Sequence, residues 1–444
     1  MFGFLGNTHV PHRKNTAHMT AVPLAAPKEV LLSLSQHIGA PAVATVKVGD
    51  TVKKGQKIAE AGGFVSAPVH ASVSGTVTKI EEYLKSDGRK ATAIRIANDF
   101  ENTLSEEVVP PVVTTLDELL GAVAASGLVG LGGAGFPAHV KLAALKNETT
   151  DTLVVNGAEC EPYITSDTRT MLEDGKDILN AITVLRRVAP NLRRVIFGVE
   201  KNKPTAIANL RKVFQGDSSV SVKKLPSLYP QGAEKVLIAN LTRRVVPEGK
   251  LPADVGVVVM NVTSLAFLGK YLKTGMPLVE KTVTLDGTAV TAPKNLRVPI
   301  GTPLSEVVAQ GGVAEDAAIK VLYGGPMMGV AVCSLDEPIL KNTNAVTVLH
   351  EKDSTLQNVT ACLHCGRCVT ACPHNLTPTL FSKTLEISDK AQRYALLEEQ
   401  KITLCIECGC CSFVCPAHLP LVQNNRLAKA ELRDHKAHTA TLKK

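Results

Sequence analysis

The chain has 444 residues, 45% of them hydrophobic and 20% charged, so it is long enough for about three domains and can bury a sizeable core. Aromatic residues make up only 4%, Trp is absent and the formal charge of +8 is mild for this length, which argues against nucleic-acid binding by base stacking or along a basic stripe. No run of 18 apolar residues occurs, and the first twenty residues lack a basic segment followed by an apolar core. The expectation is a chain that stays in the cytoplasm with its 11 cysteines reduced, 9 of them crowded between Cys362 and Cys415.

Residues 1–30 read as irregular and proline-bearing. From Ala40 the chain breaks into short alternating runs with turns at Gly49-Asp50 and Lys54-Gly55, the pattern of a small sandwich or barrel. This stretch resembles the lipoyl/biotinyl-type β-sandwich hybrid. The hairpin that would carry a cofactor-bearing Lys reads Ser66-Ala67-Pro68-Val69-His70-Ala71-Ser72, without a Lys, which implies a structural or docking module. Residues 115–275 alternate helix-like stretches (TLDELLGAVAASG, GKDILNAITVLRRVAP, PTAIANLRKVFQ, GAEKVLIANLTRR) with apolar strands (DTLVVNGAE, RRVIFGVE, DVGVVVMNV). That alternation predicts an α/β domain with a mostly parallel sheet. Residues 280–330 return to β, with a turn at Asp286-Gly287, a short helix PLSEVVAQ and a strand AAIKVLYGG; the unit resembles a β-grasp (SLBB) module. Residues 350–430 read as helical segments interrupted by cysteines, and the basic tail reads as a helix with a solvated face.

The predicted fold is therefore multidomain α/β. Residues 1–105 form an N-terminal lipoyl-like β-sandwich hybrid and 106–275 the α/β domain. Residues 276–345 form the β-grasp module, and 346–444 a helical, cysteine-bearing domain with a basic tail.

The cysteines carry the sharpest signal. Cys362, Cys365, Cys368 and Cys372-Pro373 have the same spacing as Cys405, Cys408, Cys411 and Cys415-Pro416. Both runs fit C-x2-C-x2-C-x3-C-P, the bacterial ferredoxin run, in which the fourth cysteine serves the other cluster. The expected ligand sets are Cys362, Cys365, Cys368 and Cys415 for one cluster and Cys405, Cys408, Cys411 and Cys372 for the other. Gly366 and Gly409 are expected to relieve crowding beside each cluster. A single CxxCxxC could instead hold zinc, but two full copies with the terminal Pro point to clusters. Cys410 reads as a non-ligand, and Cys160 and Cys333 as small buried residues.

A second signal is Gly130-Leu-Gly132-Gly133-Ala-Gly135-Phe136-Pro137, which contains G-x-G-x-x-G. A helix-like stretch precedes it where a dinucleotide fold wants a strand, although Glu159 could serve as the acidic partner. Glycines let the backbone approach a flat ring or a phosphate, and Lys141 follows at a position suited to a phosphate.

GLVGLGGAGFPAHVKL, VVNGAECEPYITSDTR and YPQGAEK, with LSLSQHIGAP upstream and both cysteine runs, resemble the C subunit of the Rnf electron-transport complex over nearly the whole chain. The α/β part is also similar to the flavin-binding, NADH-oxidising subunit of respiratory complex I. The resemblance implies FMN, NADH/NAD as substrate and two [4Fe–4S] clusters. It implies a peripheral electron-input subunit on the cytoplasmic face of the membrane, within an ion-translocating NADH:ferredoxin oxidoreductase. The partners implied are the other Rnf subunits, the iron–sulfur B subunit and integral membrane subunits among them; nucleic acid is not.

The resemblance further implies that Gly130, Gly132, Gly133, Gly135 and Lys141 line the FMN, with Asn156 and Glu159 nearby. Phe136 and Glu161 face the nicotinamide nucleotide, Tyr229, Gly232 and Glu234 close the site, and Asn261 holds the phosphate or ribityl chain. Glu159 and Glu161 also suit capping of the next helix, and Tyr229 a core edge. Leu131, Ala158, Cys160 and Thr263 stand where the complex I pattern has Arg, Asp, Ser and Glu. The competing readings are a soluble flavin/iron–sulfur reductase, such as a cobalamin reductase, and a non-catalytic electron-transfer adaptor.

Overall fold

The computed structural model describes residues 8–314, 317–355 and 357–442. Its centre is a four-stranded, wholly parallel sheet in the order Val220–Leu225, Arg194–Glu200, Thr152–Gly157, Val257–Asn261. These strands read as apolar runs because both faces are covered. Leu153 and Val155 point into the large core under the helices Gly175–Val188 and Val262–Thr274, whereas Val154 points into a second cluster with Leu237 and Ile238 of the helix Glu234–Thr242. The period of two along the strand assigns each side chain to its layer.

The sandwich domain comprises an antiparallel sheet, Glu29–Ser33, Lys90–Asn98, Gly75–Leu84 and Thr51–Val52, and a small three-stranded sheet. The hairpin around Pro68 is not a free arm. Ser66, Ala67, Val69, His70 and Ala71 are all buried, and Lys341 Nζ donates to the carbonyls of Pro68 (2.6 Å) and Gly127 (2.8 Å).

The β-grasp region builds a six-stranded mixed sheet from Ala21–Pro23, Lys294–Pro299, Glu280–Asp286, Ala345–His350, Ile319–Tyr323 and Val330–Ala331. Two features correct the sequence reading. Residues 1–30 are not wholly irregular, because Ala21–Pro23 pairs in parallel with Lys294–Pro299 at the sheet edge and Glu29–Ser33 joins the sandwich. A three-residue edge strand ending in Pro has too little periodicity to read in sequence. The helix Val262–Thr274 also went unread, because it begins directly on the last residue of the strand Val257–Asn261 with no intervening loop.

The C-terminal helices Pro378–Leu385, Lys390–Glu399 and Leu421–Leu442 enclose Phe381, Leu397, Ile402, Ala428 and Leu432. The basic tail is a helix with two faces: Ala428 and Leu432 are core residues, while residues 433–438 are exposed and Lys429 pairs with Glu407 at 2.6 Å. Cys333 is exposed rather than buried.

Two glycines test this packing. At Gly269, where Val262–Thr274 crosses Gly175–Val188, a Cβ would overlap the carbonyl oxygen of Asp177. Gly269→Ala should destabilise the chain by about 1–3 kcal/mol in thermal or denaturant unfolding, because neither helix backbone can give way. Gly121 lies exposed in the helix Leu116–Ala125 with open space around it. Gly121→Ala should stabilise by about 0.5–1 kcal/mol in the same assay.

Candidate functional site

The chain leaves Thr152–Gly157 toward Arg194–Glu200 and Val220–Leu225 on one side and returns to place Val257–Asn261 on the other. Helices draw the connections apart at such a switch point, so a crevice opens at the carboxyl ends of Thr152–Gly157 and Val257–Asn261. Asn156 and Asn261 are register partners at those ends.

The glycine loop closes one wall. Gly130 N donates to Phe136 O (2.9 Å) and Val129 bridges Pro137, so the loop is a tight hairpin with Gly132, Gly133 and Ala134 exposed at its tip. Gly132 must lack a side chain because a Cβ would overlap the Asn261 amide, and Gly135 adopts φ +69°. Asn261 caps the helix Val262–Thr274, its Oδ1 accepting from the backbone N–H groups of Thr263 (2.9 Å) and Ser264 (3.2 Å). Its Nδ2 donates to Asp167 (2.8 Å), whose other oxygen takes the Thr263 hydroxyl (2.6 Å). Thr263, a departure from the complex I pattern, is thus part of the polar floor of the crevice.

The other sequence-predicted residues divide into two groups. Asn156 Nδ2 donates to Gly232 O (2.9 Å), and Lys141 Nζ reaches Glu234 across the opening (2.6 Å), both side chains of that pair about one-third exposed. These four lie around the crevice with the glycine loop. Glu159 and Glu161 are otherwise engaged. Glu159, at φ +49°, accepts from Asp167 N (2.6 Å) and Thr168 Oγ1 (2.5 Å), which caps the helix Ser166–Glu173. Glu161 accepts from the backbone N–H groups of Met327 (3.1 Å) and Met328 (2.7 Å) in the β-grasp region. Burial raises both carboxyls above the ordinary range, Glu161 to about 7. Phe136 is half-buried at the base of the hairpin.

Two lysines that sequence reasoning passed over shape this region. Lys14 Nζ donates to the carbonyls of Glu159 (2.7 Å), Glu161 (2.8 Å) and Ile164 (2.7 Å). Lys203 Nζ donates to Ala158 O (2.7 Å) and Glu200 Oε2 (3.1 Å). Together they hold the backbone that follows Thr152–Gly157. Lys14 belongs to the HVPHRK text, but nothing in its local pattern indicates a target some 150 residues away.

Beside the crevice lie two cysteine-lined cavities. Cys372, Cys405, Cys408 and Cys411 line one, with Cys410, and Cys362, Cys365, Cys368 and Cys415 line the other. The two runs share a backbone path: His364 and Glu407, Gly366 and Gly409, and Asn375 and His418 all have positive φ at matching positions. The two glycines differ in what surrounds them. Gly366 has open space, whereas a Cβ on Gly409 would come 2.7 Å from Met327 O; the requirement common to both is φ near +80°. N–H groups reach the sulfurs, from His364 N to Cys362 (3.4 Å), Leu376 N to Cys372 (3.4 Å) and Asn425 Nδ2 to Cys405 (3.5 Å). Such donors stabilise thiolate and tune whatever it ligates. Among the described residues, no three His, Cys, Asp or Glu side chains converge as ligands of a single metal ion do; the sulfurs instead ring a cavity.

The cavities differ in setting. Buried Tyr229 donates its hydroxyl to Cys408 O (2.8 Å) and packs with Val10, Cys160, Met327 and Cys410, which places the Cys408 cavity against the crevice. The other cavity lies outward, where Cys365 is exposed and Leu363 is 64% exposed.

Comparison with known proteins agrees with this layout. The RnfC Barrel sandwich hybrid domain matches residues 2–101, the Nuo51 FMN-binding domain residues 123–269 and the SLBB domain residues 282–331. The chain is 40% identical to the C subunit of the proton-translocating ferredoxin:NAD(+) oxidoreductase complex of Clostridium ljungdahlii, over 85% of this chain and 83% of that protein. It is 40% identical to the Na(+)-translocating counterpart of Acetobacterium woodii, over 88% and 87%. It is 36% identical to the C subunit of the ion-translocating oxidoreductase complex of Rhodobacter capsulatus, over 98% and 84%. Among solved structures, the NAD+-reducing [NiFe]-hydrogenase in its H2-reduced state aligns with a TM-score of 0.50 at 16% identity, covering 71% of this chain and 63% of that one, a likeness of fold. The chain belongs to the family of C subunits of ion-translocating ferredoxin:NAD(+) oxidoreductase (Rnf) complexes.

Proposed function

We propose that this chain is the electron-input subunit of such a complex, oxidising NADH at an FMN held over the crevice and carrying two [4Fe–4S] clusters in its cysteine cavities. When bound, flavin takes a hydride's two electrons from NADH and releases them singly to one-electron centres. The observation that carries the reading is the grouping of eight cysteines into two fours, one of them joined to the crevice through the Tyr229–Cys408 hydrogen bond.

The chain's residues suit this chemistry. The exposed tip of the glycine loop admits a flat ring, and Gly132 packs against Asn261 with no space for a side chain between them. Lys141, Asn156 and Asn261 supply a cation and amide groups around the opening. Glu159 and Glu161 act in this reading through the backbone they hold. Tyr229 and Met327 exclude water between the crevice and the nearer cavity. No nucleophile or acid–base pair is required. The outward cavity is the one open to an acceptor protein, which by family analogy is the iron–sulfur B subunit. No described helix is long and apolar enough to cross a membrane. Attachment at the cytoplasmic face would then come through integral membrane subunits.

The test is anaerobic. The full chain, reconstituted with iron, sulfide and FMN and then desalted, should show prompt bleaching of flavin absorbance on addition of NADH. Flavin retained but unresponsive to NADH, while dithionite still bleaches the clusters, would sink the NADH-oxidising reading and leave an electron-transfer adaptor. Iron content tests the ligand sets independently. Cys372→Ala and Cys415→Ala should each lose about four of about eight irons, although both cysteines are the last of their runs. The remaining cluster should be the one lined by Cys362, Cys365 and Cys368 in the first variant and by Cys405, Cys408 and Cys411 in the second.

A further inference from the structure

Among the described residues, three lysines are almost wholly buried: Lys203, Lys281 and Lys341. An ammonium has three donors and no acceptor, and a buried charge is stable only when its donors are satisfied. Lys203 has Ala158 O at 2.7 Å, Glu200 Oε2 at 3.1 Å and Asn202 Oδ1 at 3.1 Å. Lys341 has Pro68 O and Gly127 O. Lys281 has one partner, Leu131 O at 2.7 Å.

Leu131 is the second residue of the glycine loop, so Lys281 lies directly beneath it. The residue comes from another part of the fold, the strand Glu280–Asp286 of the β-grasp sheet. The nearby carboxylate of Asp167 attracts it, while the two Asp167 oxygens accept from Asn261 and Thr263. Burial lowers the lysine to about 8. The loop is also braced by Asn342, whose Nδ2 donates to Gly133 O (3.1 Å), and by Ser264, which accepts from Leu131 N (2.9 Å). These bonds fix the loop's backbone and leave the Lys281 donors as the unfilled polar groups below it.

We propose that Lys281 is a flavin-nucleotide-binding residue, its ammonium completing its hydrogen bonds on an electron-rich oxygen of the nucleotide seated at the glycine loop. The assignment rests on the FMN reading above. It makes the β-grasp module part of the cofactor site. The oxygen belongs either to the phosphate or to a carbonyl of the flavin ring, and riboflavin, which lacks the phosphate, separates the two.

The experiment titrates FMN and riboflavin into the full chain and into Lys281→Gln, following flavin fluorescence. Gln keeps a donor for Leu131 O and removes the charge; Lys281→Met, of similar length, serves if the Gln variant melts lower without flavin. FMN binding should weaken by about ten-fold, as for loss of one charge-assisted hydrogen bond. A phosphate contact leaves riboflavin affinity equal in both proteins. A ring contact weakens riboflavin by the same factor and lowers the potential of the bound flavin. Unchanged affinity for both flavins in a variant that melts like the wild type would overturn the assignment, the donors then being met by water. A wild-type chain that binds neither flavin would overturn the FMN reading and the assignment with it.

Discussion

Buried ammonium groups hold the parts of this chain together. Lys341 leaves the β-grasp region and bonds carbonyls of the sandwich hairpin and of the turn before the glycine loop. Lys14 ties the N-terminal segment to the backbone after the central strand, and Lys203 secures the same backbone through Ala158 O. A charge taken out of water is costly to leave unpaired, so these parts cannot slide without exposing an unsatisfied ammonium. The glycine loop inherits its position from that constraint. Its own sequence, rich in glycine, has little conformational preference.

The same constraint brings the crevice and the cysteine-lined cavities side by side. The carboxyl ends of parallel strands supply the crevice, and the ferredoxin-like runs supply the cavities, but neither specifies a distance to the other. Tyr229 and Met327 do so. Tyr229 reaches from the α/β domain to the carbonyl of Cys408, and Met327 reaches from the β-grasp turn to the Cys408–Gly409 backbone. Glu161 anchors the Met327 turn through its two backbone N–H groups. The contacts between crevice and cavity thus involve three regions of the chain.

Much of the layout was legible without coordinates because its signals are local. The cysteine spacing identifies two matched runs, and the matching αL positions at His364 and Glu407 show that equal spacing folds to equal backbone. Apolar runs between helical patterns marked three of the four parallel strands; the missed one, Val220–Leu225, is an edge strand carrying two lysines. The glycine loop was legible as a tight turn of bare backbone, although Gly132 owes its identity to Asn261, 129 positions later.

What stayed hidden depends on contacts between residues far apart in sequence. No pattern around Lys14, Lys203, Lys281 or Lys341 distinguishes them from the chain's surface lysines, since a lysine's role follows from which carbonyls surround its ammonium. Ala21–Pro23 is a strand only because Lys294–Pro299 offers it an edge. Local composition and spacing therefore determined the kinds of sites this chain contains. Tertiary packing decided which side chains complete them, because burial and hydrogen-bond satisfaction are properties of neighbours in space.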